Sequence, residues 1–245
     1  MSGNTEHKSP DETDENHEKV KKIFTDIARD YDRVNKVISF GQIDRWRKRL
    51  ISRMVLPKDG SILDLGCGTG KLTRLIAERM GAGKVVGVDL TPGMIEIATD
   101  TLPGEYKSLV DFRLGVGEDL DFQSNSFDLA TSAFTLRNVN DLEKVITEMR
   151  RVVKPGGRVY SLELAKPGIP VFGALYRFYF RKLLPVIGGL AQGDKGPYRY
   201  LVESLKRFPN QEGLKQLYEK AGLVEVEYEE IFGGVAAIHQ GIKRG

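Results

Sequence analysis

A single cysteine, Cys67, occurs in the 245 residues, which excludes an internal disulfide framework and points to a reducing, cytoplasmic setting. The first twenty residues contain no apolar core segment, so no signal peptide is read there. No uncharged apolar run reaches the roughly 20 residues that span a bilayer. Histidine is also scarce: His7 and His17 lie in or beside the N-terminal tail and His239 stands far away, so no metal-ligand spacing is seen and no metal is expected. Neither an internal repeat nor a low-complexity tract is present.

Charge, by contrast, is plentiful and uneven. Residues 1–16 hold Glu6, Asp11, Glu12, Asp14 and Glu15 against Lys8, a net −4, and the whole sequence is +3, which leaves +7 for residues 17–245. With nothing apolar to bury, residues 1–16 are expected to be a disordered acidic tail. The basic remainder suits a well-solvated surface, an anionic membrane face or nucleic acid.

After the tail, Val20, Ile23, Phe24, Ile27 and Tyr31 fall at helical spacing, and a second helix is expected through "RWRKRLISRMV" until Pro57 stops it. Together these form a helical cover over residues 17–57. Strands are then expected at Ile62–Leu65, Lys84–Val88, Asp111–Leu114, Phe127–Ala133, Arg158–Leu162, Val224–Glu229 and Val235–Ile242. Helices fit between them at Lys71–Met80, Pro92–Leu102, Leu142–Val153 and Gln211–Ala221. Such alternation implies an α/β fold whose mostly parallel sheet has helices on both faces. Only "EIFGG" separates the last two strands, too little for a crossover helix, so the last strand should run antiparallel. Residues 165–210 interrupt the alternation and read as an inserted cap on one domain, residues 17–245.

The stretch "ILDLGCGTGKL" sets Gly66, Gly68 and Gly70 at alternate positions between an expected strand and helix, with Asp64 just before them. Glycines so spaced let backbone lie close against a ligand. A dinucleotide fingerprint would need glycine where Lys71 stands. Asp89, nineteen residues after Gly70, closes the second strand, where an acid can accept both ribose hydroxyls. Asp64, the incomplete fingerprint and the terminal hairpin together resemble the class I S-adenosylmethionine-dependent methyltransferases, with a Rossmann-like seven-stranded sheet. On that resemblance the Gly66–Gly70 backbone approaches the methionine and ribose of the cofactor. Asp64 organises the loop and reaches the amino group through water, and Cys67 is a small filler.

Further segments narrow the resemblance: "DIARDYDRVNKVISFG", "AFTLRNV", "VVKPGGRVYSLELAKP", "PYRYLVESLKRFPNQEGL" and "GGVAAIHQG". In this order, from about His17 to the C-terminus, the sequence resembles the ubiquinone/menaquinone-biosynthesis C-methyltransferase family, which methylates a ring carbon of a polyprenylated benzoquinol or naphthoquinol. The resemblance implies that Thr69 and Asp89 contact S-adenosylmethionine, that Val116 and Gly117 lie along its adenine, and that Ala133 sits beside it. Relatives commonly carry Asn or Asp where Val116 stands, so a backbone amide, Glu118 or Asp119 would replace that contact. They also commonly carry Gly where Thr135 stands, and a serine is seen at Ala133.

An aromatic carbon attacks a sulfonium methyl group only when the adjacent phenol is ionised, and a phenol's ordinary pKa is about 10. Arg137 and Asn138 follow the fourth strand, at the edge where open α/β sheets bind ligands. Arg137 is expected to stabilise the phenolate or orient a water, the alternative being a salt bridge that anchors the loop. His239, in "VAAIHQG", is a catalytic candidate because imidazole titrates near neutrality, with a satisfied core group as the alternative. Tyr31 is expected to close over the cofactor, while Tyr198 and Tyr200 line a substrate pocket or pack the lid. Glu163 would accept a substrate hydroxyl or pair with Arg137.

Within the cap, "VFGALYRFYFRKLLPVIGGL" surrounds Arg177, Arg181 and Lys182 with aromatic and aliphatic residues. It fits a bilayer interface at the inner face of the membrane, a hydrophobic lid, or a homodimer contact. Other readings are a methyltransferase for a sterol or phenazine-type acceptor and a module that binds S-adenosylmethionine without turning it over. Nucleic-acid substrates are disfavoured: no proline is followed by another, as an amine-methylating Pro-Pro loop requires, and the only thiol lies in the cofactor loop. No basic stripe interleaved with exposed aromatics is read outside the cap.

Overall fold

Strand β1 (Ser61–Leu65) sends Ile62 to one face of a sheet and Leu63 and Leu65 to the other, and both faces are covered. Burial on both faces makes this one strand serve two cores. The computed structural model describes residues 17, 18, 20–25, 28, 31–39, 41–168 and 196–245. The acidic tail and residues 169–195 of the expected cap lie outside the described residues, including Arg177, Arg181 and Lys182.

The helices are α1 (Tyr31–Ile38), α2 (Gln42–Arg53), α3 (Lys71–Met80), α4 (Pro92–Asp100), α5 (Leu142–Val152), α6 (Gly196–Arg207) and α7 (Gln211–Lys220). The other strands are β2 (Lys84–Asp89), β3 (Val110–Leu114), β4 (Phe127–Ala133), β5 (Val153–Leu164), β6 (Leu223–Ile231) and β7 (Ala236–Lys243). Their order is β3-β2-β1-β4-β5-β7-β6. Strands β1 to β5 pair in parallel, whereas β7 runs antiparallel to both its neighbours, as its short link to β6 requires. On one face Trp46, Leu50 and Met54 from and just after α2, with Ile76 of α3, pack on Ile62 and Leu129. On the other, Val145, Ile146 and Met149 of α5 and Tyr218 of α7 cover Leu63, Leu65 and Val159.

Three expectations change. The N-terminal cover is divided: residues 20–25 are helical, Ala28 lies in a turn, and Tyr31 opens a new helix. Helix α2 stops at Arg53, with Met54 already extended, because the chain must leave helical geometry before Pro57. Strand β5 starts five residues early, since Val153 already pairs with Phe127 and the Lys154 ammonium holds Asp128 at 2.8 Å. Within the expected cap, residues 196–207 form α6. No helix among the described residues is long and apolar enough to cross a membrane.

Candidate active site

The carboxyl ends of β1, β2 and β4 meet at one edge, and an open cavity of about 960 Å³ lies there. Gly66, Gly68 and Gly70 all have positive φ, at 68°, 54° and 76°, but they serve differently. A Cβ on Gly66 would stand 2.1 Å from Thr135 Oγ1, and one on Gly70 would stand 2.7 Å from Phe112 Cζ. Gly68 alone of the three has open space where a Cβ would project, and it lines the cavity. Its bare backbone is therefore the surface a ligand meets.

Asp89 fastens that loop. Its Oδ2 accepts from the Gly68 amide and its Oδ1 from the Thr91 amide, both at 2.9 Å. Burial pushes its pKa up, and those two amides oppose the rise. Asp89 lines the cavity, where a carboxylate can accept from a ribose diol. Asp64 is 1% exposed and accepts from the Thr73 hydroxyl at 2.6 Å. Burial pushes its pKa up to about 6, against the Thr73 bond and the charge of Arg47. The Cys67 thiol is pushed up by burial and by the charges of Asp89 and Asp64, so it stays protonated and acts as a filler.

Asp64, Gly66, Gly68, Thr69, Asp89, Val116, Gly117, Ala133 and Asn138 all reach this cavity. Gly70 does not line it; it packs against Phe112 and precedes α3. The Thr69 hydroxyl donates to Asp32 Oδ2 at 3.0 Å, and Lys71 pairs with Asp32 Oδ1 at 3.3 Å, so α1 is bonded to the glycine loop. The Tyr31 side chain lies outside the described residues. Glu118 lines the cavity too, but its Oε1 accepts from the Asn140 amide at 2.8 Å and its Oε2 faces His17 at 3.4 Å.

Arg137 and Asn138 occupy a 3-10 turn (Leu136–Asn138) directly after β4. Asn138 reaches the cavity, with Nδ2 donating to the Phe134 carbonyl at 3.4 Å. Arg137 lies beside the cavity without lining it. Its guanidinium bonds Glu163 Oε2 at 2.7 Å, and both side chains are buried, which decides between the two roles open to Glu163. The Arg137 Nε–H has no acceptor among the described residues. Burial raises the Glu163 pKa, opposed by Arg137 and by the Leu136 and Arg137 amides. Tyr200, buried on α6, feels the charge of Arg137, which opposes the upward push of burial on its phenol. The Tyr198 side chain lies outside the described residues.

His239 is not brought to this cavity. It stands opposite Ser161 in mid-strand, 1% exposed, near the rings of Tyr218 and Tyr228, and burial pushes its pKa down to about 4. Arg47, which sequence reasoning missed, does line the cavity. It is 9% exposed, bonds Asp44 Oδ1 at 3.0 Å and stands 5.9 Å from the centre of the Phe134 ring. Its signal was an arginine on the same buried side of α2 as Trp46 and Leu50. Among the described residues, no cluster of three His, Cys, Asp or Glu could hold a metal.

A sheet of this order with a glycine loop at the end of β1 and an acid at the end of β2 defines a class I S-adenosylmethionine-dependent methyltransferase. A SAM-dependent methyltransferase from Thermotoga maritima shares the fold at TM-score 0.65 and 22% identity, over 91% of this chain and 99% of that one. Phosphoethanolamine N-methyltransferase 2 from Haemonchus contortus, solved with S-adenosyl-L-methionine, does so at 0.62 and 17%, over 81% and 52%. The chain belongs to the ubiE/COQ5 methyltransferase family, whose model matches residues 12–243. Demethylmenaquinone methyltransferases of Staphylococcus aureus strains JH9 and Newman are each 40% identical to it over 230 residues, 93% of this chain and 94% of theirs. The protein is thus a methyltransferase that uses S-adenosylmethionine, and the Gly68 cradle and the Asp89 carboxylate fit that cofactor.

Proposed function

We propose that this enzyme methylates a ring carbon of a polyprenylated quinol, with demethylmenaquinol the favoured acceptor over a ubiquinone-type benzoquinol. The observation that carries this reading is the buried Arg137 at the mouth of β4, anchored by Glu163 and left with an unpaired Nε–H among the described residues. A buried unpaired donor is costly, about 1 to 3 kcal/mol, unless a ligand meets it. A quinol oxygen that becomes a phenolate is such a ligand.

S-adenosylmethionine supplies an electrophilic methyl group. Asp89 would hold its ribose, Val116 and Gly117 its adenine, and Asp64 and Arg47 its amino-acid head. Among the described residues Arg47 makes one hydrogen bond, to the half-exposed Asp44, and its other donors would take the carboxylate. Arg137 stays cationic, so it lowers the phenol's pKa rather than taking the proton itself. Asn138 holds the turn that aims it, and Tyr200 closes the far side. The identity to demethylmenaquinone methyltransferases supports the naphthoquinol ring.

A polyprenyl tail resides in lipid, so the enzyme works at the inner face of the membrane, with residues 165–210 as the contact and a homodimer as the alternative use of that surface. Incubating the protein with labelled S-adenosylmethionine and reduced demethylmenaquinol tests the assignment. Label in the naphthoquinol is expected. Label in a benzoquinol, sterol or phenazine alone overturns it, and binding of the donor without any transfer makes the protein a sensor.

A further inference from the structure

A second, much smaller pocket lies between β5, β7 and the start of α7. Glu163, Ala165, Asn210, Gln211, Leu214 and His239 line it, and Asn210 at its rim is exposed. It joins two groups that the cofactor site leaves unexplained. Glu163 Oε1 and His239 Nδ1 are both buried, and neither has a hydrogen-bond partner among the described residues. Glu163 stands opposite Ala237 and His239 opposite Ser161, so the two side chains are diagonal neighbours on one face of adjacent strands. The backbones of such neighbours lie about 7 to 8 Å apart, and both side chains reach into the same pocket.

The tautomer of His239 follows from chemistry. Its Nε2 stands 2.8 Å from the Gln211 carbonyl, which can only accept, so Nε2 carries the proton and Nδ1 presents a lone pair. Glu163 Oε1 likewise presents lone pairs. A water that donates to both satisfies two buried acceptors at once. Tyr218 stands behind His239, with its ring 6.1 Å from the imidazole and its hydroxyl facing Ser161 Oγ. A buried water needs polar partners, and Glu163 Oε1 and His239 Nδ1 supply two in a pocket with room for about one water.

We propose that this cavity is a hydrated proton exit: a water held between Glu163 Oε1 and His239 Nδ1 links the Arg137–Glu163 pair to solvent at Asn210 and discharges the proton that methylation releases. The inference rests on the proposed quinol methylation. In that reaction a C–S bond breaks and a C–C bond forms at the ring. The ring carbon's C–H electron pair returns to the ring, and the donor's positive charge reappears as one free proton. The other oxygen of Glu163 already holds Arg137, so in this scheme the phenol's proton passes to this carboxylate beside Arg137 and from Glu163 Oε1 to the water, while Arg137 stays charged. His239 is a positioning residue here, fixing the water by its lone pair. The titratable groups that line the pocket are Glu163 on β5 and His239 on β7, with Arg137 of the 3-10 turn behind the one and Tyr218 of α7 behind the other. Glu230 of β6 is held off by Gln211, which bonds it at 2.7 Å.

Two measurements on the full-length protein test this. A high-resolution crystal structure should show ordered water between Glu163 Oε1 and His239 Nδ1, and a dry cavity overturns the proposal. His239→Leu and Tyr218→Phe are then compared with wild type for kcat, KM and the solvent deuterium isotope effect. Expected for His239→Leu is a fall in kcat of about tenfold, below the 10² to 10⁴ of a directly acting acid or base. Both KM values should hold within about twofold, with an isotope effect larger than that of wild type. Tyr218→Phe should move the same quantities less. Unchanged isotope effects in both variants, whether or not kcat falls, make the cavity structural and overturn the exit. Failure of the quinol assignment shows in the wild type, whereas failure of the exit shows only in the variants.

Discussion

The hydroxyl of Thr69 donates to Asp32 Oδ2 across 3.0 Å, joining helix α1 to the glycine loop that lines the cofactor cavity. The other oxygen of Asp32 pairs with Lys71 at 3.3 Å, just inside α3. One carboxylate therefore ties α1 both to the glycine loop and to the start of α3. Asp32→Ala should weaken S-adenosylmethionine binding about tenfold, the worth of a charge-assisted hydrogen bond, read by calorimetric titration. Asp32→Asn, which still accepts from Thr69, should recover part of the loss. Equal affinity in all three proteins would detach the cover helix from binding.

Arg47 reads the carboxylate of the donor if its free nitrogens face the amino-acid head. Arg47→Ala should then lose roughly a hundredfold in affinity for S-adenosylmethionine, while decarboxylated S-adenosylmethionine binds both proteins alike. Arg47→Lys should fall between, since a lysine keeps the charge and loses the fork. A parallel loss for both ligands would make Arg47 a packing residue.

Arg137→Ala should lower kcat by about 10² to 10³, the cost of removing one donor from a developing oxyanion. Donor affinity should stay near wild type, because Arg137 does not line the cofactor cavity. Rapid-quench turnover beside a binding titration separates the two. Normal turnover would remove the residue from the mechanism.

Asp64 gives a pH signature. Burial raises its carboxyl from 3.8 to about 6, so the ligand-free folded chain holds more protons than the unfolded one between those values. The folded state therefore loses stability as pH rises through that window, by about 2 to 3 kcal/mol at about 1.36 per pKa unit. Asp64→Asn does not titrate and can still accept from Thr73. Its stability relative to wild type should rise between about pH 4 and 7 and level off above, in urea melts without ligand. Parallel curves would show that Asp64 is ionised at little cost.

Gly66 and Thr135 form a close packing pair, with Thr135 Oγ1 donating to the Gly66 carbonyl at 3.1 Å. Gly66→Ala puts a methyl 2.1 Å from that hydroxyl at φ 68°. Unfolding should cost about 2 kcal/mol less free energy, from strain and overpacking. Adding Thr135→Gly should restore the packing part and leave the backbone part. Additive losses in the double-mutant cycle would mean that the two do not couple.

Much of the fold was legible because strands and helices obey local periodicity. The apolar runs at Ile62–Leu65 and Phe127–Ala133, the short link before β7 and the glycine spacing each act over a few residues, and the structure keeps them. Spacing also singled out Asp64 and Asp89, since a strand–loop–helix unit fixes its own geometry, whereas Thr69 came from the family resemblance. Partnerships between distant segments were not so fixed. Arg137 finds Glu163 26 residues away, Asp32 finds Thr69 37 away, and His239 turns from the cofactor toward Gln211. Sequence determines which residues each element can offer to a face, by period and turn chemistry. Only tertiary packing decides which charges share a buried space, because that choice depends on the order of strands in the sheet and on where water is excluded.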